Sequence, residues 1–576
     1  MTIFSYAPGG YHGHIVAVEV DCRVGIPGMD IVGLPASEVR EARERARVAI
    51  RNSGFEFPAK RILVNLSPAD VPKIGNGFDL AIAGAILAGS RQLLGRSPPS
   101  VMMVGELHLG GGVGAVRGVL AAVAEGIESA IGGFVVPQRN AAEAQCVSGG
   151  RAVGIAHLSE LPRALAALST RGEPVPPDAM PERDEATTAR GTAKTARDDA
   201  MRSGGGPRTE PRPRVVQLAT DHAHTACVVP AGTAAPRAGI ARNPERLPNP
   251  APGSALSDYR ELRGLSDLKR VLEIAAAGGH HVLVVGPPGG GKSAAIGLFP
   301  TILMPLSREE SIEVTRIHSL AAEARPRRGL IEQRPFRSPH HNTSTEGLLG
   351  GRLPQIPGEV ALAHCGTLFL DEALEFRRPV LQGLREPLEY RRIRVARARG
   401  NYWFPAGIQL IMATNRCPCG MLGRRDRSCL CSLAEVDRYW RKLGGPLLDR
   451  IDLRVHVEPH SLEVLPQSDS SAEMARRVRT AVLFRYSTRQ QQCRNGALTA
   501  VQATELGRLA DPARKLLAEA SRRFGLSTRA SLSVLRVART IADLCGEESV
   551  RDEHILEAVS YRRFGEERPL WECDAV

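Results

Sequence analysis

One segment of eight residues constrains the fold of this chain more than any other. Gly286-Pro287-Pro288-Gly289-Gly290-Gly291-Lys292-Ser293 matches the phosphate-binding pattern G-x-x-x-x-G-K-[ST] at every required position. The apolar run 281–285 before it predicts a strand, and 294–298 after it predicts a helix. Glycines there let backbone N–H groups surround a polyphosphate, with Lys292 as a cation and Ser293 as a Mg²⁺ ligand. An ordinary glycine-rich turn is the alternative, and the strand–loop–helix context argues against it.

Two carboxylates at the end of a later apolar strand predict the rest of this site. Residues 367–372, with the sequence TLFLDE, end on Asp371 and Glu372. We expect Asp371 to hold Mg²⁺ and Glu372 to activate the attacking water. Alone, the segment also fits a buried strand followed by a solvated acidic turn. A further strand, 408–412, leads to Asn415, which either bonds the γ-phosphate or the water, or caps a turn.

An arginine between acidic residues suggests that the site is shared between subunits. Arg450 lies in the segment 445–452, with the sequence GPLLDRID. It is interpreted as an arginine finger offered to the γ-phosphate of a neighbouring subunit, or alternatively as a salt-bridged surface residue. A finger acting between subunits requires a ring or a filament, so this interpretation predicts a homo-oligomer.

Composition bounds the class of protein. A chain of 576 residues predicts several domains. Its formal net charge of +13 suggests a polyanionic partner, although part of the excess lies in a low-complexity segment. The amino terminus lacks the features of a signal peptide, and no apolar run reaches membrane-spanning length. We therefore expect a cytoplasmic protein without a membrane partner, whose 11 cysteines do not form a disulfide framework.

Composition and periodicity divide the chain into four parts. Residues 1–170 read as mixed α/β, with strands at 14–20 and 61–66 and helices at 38–53 and 80–88. Residues 171–255 are rich in Pro, Ala, Gly and Arg and predict a disordered linker. Residues 256–465 alternate strands and helices around the phosphate loop. Residues 466–576 read as a helical domain, with helices predicted at 471–486, 511–524, 527–544 and 551–562.

The order of these motifs resembles AAA+ ATPases, and further segments narrow the resemblance to the magnesium-chelatase-like ComM/YifB family. Those segments include 31–35 (IVGLP), 64–70 (VNLSPAD), 272–280 (LEIAAAGGH), 334–341 (RPFRSPHH) and 537–544 (VARTIADL). The resemblance implies a Lon-protease-like, S5-like amino-terminal domain, an AAA+ core with a parallel sheet, and a carboxy-terminal helical lid. It also implies a hexameric, ATP-driven DNA helicase or branch-migration motor that acts in natural transformation and recombination.

The same resemblance assigns two further properties. Arg529 is the candidate for the sensor-2 arginine, with Arg536 as its runner-up, and a solvated helix face is the alternative for both. The amino-terminal domain is expected to be inactive as a protease. Gly77 stands where the resemblance requires a nucleophilic serine, and the segment 116–120 lacks the lysine base.

Five arginines within nine residues predict a DNA-binding hairpin. Arg392 and Arg394 alternate with Ile393 and Val395, as in a strand, and a turn is predicted at Gly400-Asn401. The family resemblance points this hairpin into the pore of the ring, where it would bind single-stranded or branched DNA. A basic hairpin on the outer surface is the alternative. The full set is Arg391, Arg392, Arg394, Arg397 and Arg399.

Four clustered cysteines are a candidate metal site. Cys417 and Cys419 are followed by Cys429 and Cys431, a pattern of two close pairs that suggests tetrahedral Zn²⁺. The C-x-C spacing is tighter than usual, so reduced structural thiols and a redox role stay as alternatives. The adjacent His340 and His341 are expected to serve structural hydrogen bonds.

Two other functions are compatible with an ATPase of this kind. One is the ATPase subunit of a metal chelatase, and the other is a chaperone-like remodeller of protein complexes. DNA-stimulated ATP hydrolysis distinguishes the DNA motor from both.

Overall fold

The computed structural model describes residues 1–93, 97–169, 248–321, 329–351, 356–397, 400–424, 427–458 and 469–562. Most of the predicted linker, residues 171–247, lies outside this part. Its last residues, 248–255, are not a free linker, because the Ala251 N–H donates to the Gly297 carbonyl at 2.8 Å and Ala251 is buried. The chain is therefore ordered several residues before the predicted start of the ATPase core.

The amino-terminal region is built on a seven-stranded mixed sheet with the order β3-β4-β2-β1-β5-β8-β9. A small antiparallel pair, β6–β7, lies beside it. The strands are β1 Thr2–Ala7, β2 His14–Arg23, β3 Gly28–Val32, β4 Arg61–Ser67, β5 Ser100–Met103, β6 Glu106–Leu107, β7 Val113–Gly114, β8 Gly133–Pro137 and β9 Ala152–Ile155. The helices are α1 Ser37–Asn52, α2 Asp79–Gly89, α3 Val119–Glu128, α4 Ala141–Ser148 and α5 Leu161–Ser169.

The second sheet is wholly parallel and carries the phosphate loop. Its order is β11-β12-β15-β10-β16, so β10 lies between two strands that are distant from it in sequence. The strands are β10 Val282–Val285, β11 Phe336–Arg337, β12 Thr367–Leu370, β15 Gln409–Thr414 and β16 Leu453–His456. Every residue of β10, β12 and β15 is buried, as expected for a sheet covered on both faces.

Helices surround this sheet and form the end of the chain. Those of the core are α6 Ser266–Gly278, α7 Lys292–Gly297, α8 Arg308–Ser319, α9 Thr345–Leu349, α10 Glu359–Leu362, α11 Arg378–Gly383, α12 Arg385–Tyr390, α13 Leu433–Trp440 and α14 Gly445–Leu448. The later ones are α15 Ser471–Arg489, α16 Ala500–Gly507, α17 Asp511–Arg523, α18 Thr528–Cys545 and α19 Asp552–Arg562. The predicted α/β class with a parallel sheet is confirmed, and α16 is a helix that the sequence patterns missed.

A separate hairpin, β13 Arg392–Arg397 with β14 Gly400–Pro405, projects between α12 and β15. Its register pairs Arg397 with Gly400 and Ala396 with Asn401. The turn predicted at Gly400-Asn401 is therefore wrong, because both residues belong to the return strand. The two residues between the strands, 398 and 399, lie outside the described residues.

The amino-terminal region packs directly on the ATPase core through α8 and the hairpin. The guanidinium of Arg316 on α8 donates to Glu125 at 2.6 Å and lies 4.5 Å from the ring centre of Tyr11. The Tyr11 N–H donates to the Trp403 carbonyl at 3.0 Å, and the two rings are 5.4 Å apart. One continuous apolar core includes Phe134 of the first sheet and Leu370 of the second. In the part of the chain that the structure describes, no helix is long and apolar enough to cross a membrane.

Candidate nucleotide-binding site

The phosphate loop follows β10 and ends at the first turn of α7, as the sequence predicted. Two of its glycines are required by geometry. A Cβ at Gly286 would lie 2.5 Å from the Val457 carbonyl oxygen, and Gly291 has φ +76°, in the left-handed region. The loop therefore begins in close contact with the backbone at Val457 and turns sharply into α7, where the first N–H groups of the helix can approach a polyphosphate.

Lys292 is buried at the centre of the loop, with 7% of its surface exposed. Its ammonium donates to the carbonyls of Gly286 and Pro287, each at 2.7 Å, and lies 3.5 Å from the Asn415 Oδ1. Burial lowers the pKa of Lys292 to about 8, because the charged form loses hydration, and Asp371 offsets part of this effect. In the empty loop the ammonium of Lys292 is therefore held by neutral oxygens. These stabilise its charge less than phosphate oxygens would, so a bound phosphate can take their place.

The carboxyl ends of adjacent parallel strands bring the other predicted residues to the same edge of the sheet. Asp371 follows β12 and Asn415 follows β15, next to β10. The Ser293 hydroxyl donates to Asp371 Oδ2 at 2.7 Å. Hydroxyl and carboxylate oxygens are the ligands that Mg²⁺ prefers, so this pair fits the ion that the motif implies.

Glu372 follows Asp371 directly in the chain. Its backbone N–H donates to Asp371 Oδ1 at 3.0 Å, its φ is +49°, and its side chain is 57% exposed. The Glu372 carboxylate is therefore open to solvent beside the Ser293–Asp371 pair. His341 Nδ1 lies 3.6 Å from Glu372 Oε2.

His341 is a neighbour of the site that the sequence patterns missed. His340 and His341 both lie beyond β11, in a loop. Their ring centres are 4.1 Å apart and tilted by 35°, so they stack on each other. The sequence signal for His341 is that it ends the segment 334–341, one of the segments that carry the family resemblance.

Arg450 and Arg529 are brought together at the opposite edge of the sheet. Both bind Glu389 of α12, with Nη–Oε distances of 2.6 Å for Arg450 and 2.7 Å for Arg529. Leu453 pairs with Val282 and Val457 follows Val285, so Arg450 precedes the amino end of β16. From Val282 to Gly286 the chain advances four residues, so at about 3.3 Å per residue the two edges are about 13 Å apart. The structure therefore separates both arginines from the phosphate loop of their own chain.

Arg536, the alternative to Arg529, lies on the same helix but is half-buried. Its Nε has no hydrogen-bond partner among the described residues, and burial lowers its pKa. Arg529 is the more exposed of the two, since 41% of its side chain is accessible. Of the pair, Arg529 is therefore the arginine that can reach a group outside its own subunit.

The predicted basic hairpin alternates as expected. Ile393 is buried, whereas Arg394 is exposed and Arg392 is half-buried. Arg391 precedes the strand, with φ +54° at the end of α12. The side chain of Arg397 and the whole of Arg399 lie outside the described residues. The aromatic return strand places Trp403 against Tyr11 and His12 of the amino-terminal region, so the hairpin is braced from that side.

The four cysteines of the predicted metal site converge next to the phosphate loop. The Sγ atoms of Cys417 and Cys419 are 3.4 Å apart, and Cys429 lies 3.6 Å from each. Cys431 completes a cluster in which every pair of sulfurs is within 4.8 Å. All nine cysteines in the described part of the chain are free thiols.

Comparisons with known proteins point to the same family along nearly the whole chain. Models of magnesium chelatase subunit ChlI match residues 258–465, a ChlI model matches 18–140, and a ChlI carboxy-terminal model matches 468–562. YifB of Salmonella typhimurium is 35% identical over 559 residues, covering 96% of this chain and 95% of YifB. The competence protein ComM of Haemophilus influenzae is 33% identical over 563 residues, 97% of each chain. YifB of Escherichia coli is 34% identical over 563 residues, 96% of this chain and 95% of its own.

Proposed function

Because this chain belongs to the magnesium-chelatase-like family of ComM and YifB, we propose that it is an AAA+ ATPase that works as a ring-shaped motor on DNA. The observation that carries the ATPase part is the meeting of Lys292, Ser293, Asp371 and Asn415 at one edge of a parallel sheet. Helicase or branch-migration activity in recombination and natural transformation is the specific form of the motor that we propose.

ATP enters with its polyphosphate in the loop 286–293, and Lys292 exchanges the carbonyls of Gly286 and Pro287 for phosphate oxygens. Ser293 and Asp371 would hold Mg²⁺, which would supply positive charge against the β- and γ-phosphates. Glu372 accepts a proton from the attacking water, and the Asn415 amide orients that water or the γ-phosphate. His341 lies within reach of Glu372 and can hold its carboxylate in position.

The site is completed by a neighbouring subunit in this proposal. Arg450 and Arg529 of one chain cannot reach its own loop across the sheet, but together they form a cationic pair for the γ-phosphate of the next chain. Glu389 keeps the pair in place before the neighbour arrives. This arrangement supports a homo-oligomer, which we propose to be a hexameric ring in the cytoplasm.

The hairpin β13–β14 is the proposed contact with single-stranded or branched DNA. Its exposed Arg394 and half-buried Arg392 suit phosphates, and Trp403, 40% exposed, offers a ring for stacking. Arg391, Arg397 and Arg399 belong to the same proposed surface. The packing of Trp403 on Tyr11 connects this hairpin to the amino-terminal region, which we propose to be a non-proteolytic, Lon-protease-like domain that supports the ring.

The remaining assignments belong to the same proposal. Residues 1–170 form the Lon-like domain, 171–247 the linker, 248–465 the ATPase core and 466–576 a helical lid. Zn²⁺ would not contact ATP; its place would be the four-cysteine cluster, as a structural ion.

DNA-stimulated ATP hydrolysis tests the motor. We expect forked and four-way DNA to raise the phosphate-release rate of the wild-type protein, and Arg394→Ala to reduce that stimulation. Arg476→Ala, which removes an exposed arginine from α15, is the matched control and should keep the stimulation. If no DNA changes the ATPase rate of the wild-type protein, the proposed DNA motor is wrong and only the proposed ATPase remains.

The ATPase subunit of a metal chelatase is the second candidate, because all three matching family models describe a subunit of magnesium chelatase. It predicts ATP hydrolysis that responds to partner subunits and a porphyrin rather than to DNA. A chaperone-like remodeller predicts stimulation by protein substrates instead.

A further inference from the structure

The segment after Asn415 folds into a compact turn that carries two of the four cysteines, Cys417 and Cys419. The Gly420 N–H donates to the Cys417 carbonyl at 3.0 Å, and Gly420 has φ +75°. The Leu422 N–H donates to the Cys417 sulfur at 3.3 Å. We call residues 417–424 the cysteine turn. Backbone N–H groups aimed at a sulfur stabilise its thiolate, the form in which cysteine binds a metal.

The spacing of the sulfurs fits a metal ion and not disulfides. A disulfide requires an S–S distance of about 2.05 Å, whereas the measured separations are 3.4 and 3.6 Å. Four thiolates around Zn²⁺, each at about 2.3 Å, place their sulfurs about 3.8 Å apart. A redox pair needs only two of these cysteines and does not explain why all four converge.

Four sulfur ligands also select the kind of ion. Soft thiolates favour Zn²⁺ over Mg²⁺, and a site closed by four protein ligands is structural rather than catalytic. Another cluster, Glu313, His364 and Cys365, offers only three ligands. Its histidine already accepts the Gly407 N–H at Nδ1 and contacts both other members through Nε2.

The cysteine turn touches the nucleotide site. A Cβ at Gly420 would lie 3.1 Å from the Pro288 ring and 3.8 Å from the Asn415 amide nitrogen. A Cβ at Gly423 would lie 2.1 Å from a guanidinium nitrogen of the buried Arg416. Cys417 itself is fully buried, two residues after Asn415. The turn is thus packed against the phosphate loop on one side and joined to the strand that presents Asn415 on the other.

We propose that Cys417, Cys419, Cys429 and Cys431 bind one Zn²⁺, and that the ion fixes the cysteine turn so that Pro288 and Asn415 keep their positions. The first half stands on the sulfur geometry alone. The second half rests on the proposed ATPase, since it assigns to the ion the positioning of residues that bind and hydrolyse ATP. Without the ion, four closely spaced thiols have no common partner, and the turn loses the constraint that holds it on the loop.

The test uses the full chain, purified without a metal-affinity column, and measures zinc by mass spectrometry. Wild type and the control Cys365→Ser should hold about one zinc per chain, and the double variant Cys419→Ser/Cys431→Ser less than about half an equivalent. These two cysteines are not fully buried, so the variant should fold, which circular dichroism checks. A misplacement of about 1 Å costs about a hundred-fold in rate, so we expect ATP turnover in the double variant to fall by at least about ten-fold.

The outcomes separate the two halves. Wild-type protein with less than about half an equivalent of zinc, and no uptake of added ZnCl₂ against a colorimetric chelator, would overturn the metal site. Zinc that is lost in the double variant without any change in ATP turnover or ADP affinity would overturn the positioning role. A wild-type chain that binds zinc but hydrolyses no ATP under any condition would sink the proposed function and leave the metal site standing.

Discussion

The Ser293 hydroxyl lies 2.7 Å from the Asp371 carboxylate, although 78 residues separate them in the chain. The two oxygens that the motif assigns to Mg²⁺ are therefore together before nucleotide binds. Little side-chain entropy remains to be lost when the ion is bound, because the pair is already ordered.

Replacement of Asp371 by Asn should weaken magnesium-dependent turnover. The amide keeps the shape but loses the charge, so we expect ATP hydrolysis to fall by about a hundred-fold or more, equivalent to about 3 kcal/mol of transition-state stabilisation. Phosphate release measured across a magnesium titration checks this. Unchanged kcat with an unchanged magnesium midpoint would show that Asp371 does not serve the ion.

The exposed Glu372 gives a different expectation. Glu372→Gln should bind ATP and assemble but hydrolyse about 10²–10⁴ times more slowly, because the amide cannot accept a proton from water. Glu375→Gln, three residues on and also exposed, is the control and should retain activity. Fluorescent-nucleotide binding beside steady-state turnover separates the two effects. Normal turnover in Glu372→Gln would show the carboxylate assignment to be wrong.

Mixing two inactive variants tests the shared site. Lys292→Ala removes the loop cation and Arg450→Ala removes the opposite face, so each alone should be nearly inactive. In a randomly mixed ring of equal parts, about a quarter of the interfaces pair an intact loop with an intact arginine. ATP hydrolysis should therefore recover to about that fraction of the wild-type rate. As a control, the double variant Lys292→Ala/Arg450→Ala mixed with Lys292→Ala should recover nothing. No recovery in the first mixture would place Arg450 outside a shared site.

The depressed pKa of Lys292, about 8, predicts opposite pH trends for stability and for affinity. A lysine whose pKa is lower when folded than when unfolded is disfavoured as a cation in the fold. The nucleotide-free protein should therefore gain stability as pH rises from about 8 to about 10.4, relative to Lys292→Met. ATP binding needs the charged form, and at about pH 9 only about a tenth of empty sites carry it. Affinity should then be about ten-fold weaker than at neutral pH.

Thermal melts and nucleotide titrations of wild type and Lys292→Met, run over the same pH series, provide both measurements. Parallel melting curves for the two proteins would contradict the burial argument. An ATP affinity that stays constant through pH 9 would mean that the bound lysine does not require its charge.

Arg316 should be the main electrostatic connection between the amino-terminal region and the ATPase core. Its side chain is 5% exposed, and Glu125 is 18% exposed, so Arg316→Ala leaves a largely buried carboxylate with only the His12 ring beside it. Loss of one partner of such a pair costs about 3 kcal/mol. Arg61→Ala, whose pair with Asp30 is exposed, should cost less than about 1 kcal/mol. Denaturant unfolding compares the two, and equal losses would contradict a special role for Arg316.

The sequence was sufficient for the half of the site that depends on parallel strands. Loop, Asp371 and Asn415 each follow an apolar run, and parallel strands bring their carboxyl ends to one edge. Periodicity also identified the face of the hairpin that exposes Arg394. It missed the exact turn, because Gly400-Asn401 has typical turn composition while the register is set by pairing along the whole hairpin.

The rest depended on contacts that no local pattern contains. Glu389 lies 61 residues from Arg450 and 140 from Arg529, and only the tertiary fold brings the three side chains together. The contact between His341 and Glu372 also depends on tertiary packing, since the two residues are distant in sequence. Packing determines such pairs, whereas periodicity only says which face of an element is apolar.

The separation of the phosphate loop from the Glu389-bound arginines also limits symmetry. In the proposed shared site, one patch of a subunit receives what the opposite patch of its neighbour offers, so the contact is head-to-tail. A two-fold dimer, which pairs a patch with itself, would leave both loops without arginines. Subunits that associate in this way add one after another until the assembly closes into a ring. An assembly that stays open has one phosphate loop without the arginines of a neighbour. The closed assembly would then be the only state in which every subunit turns over, which makes closure the condition for full activity.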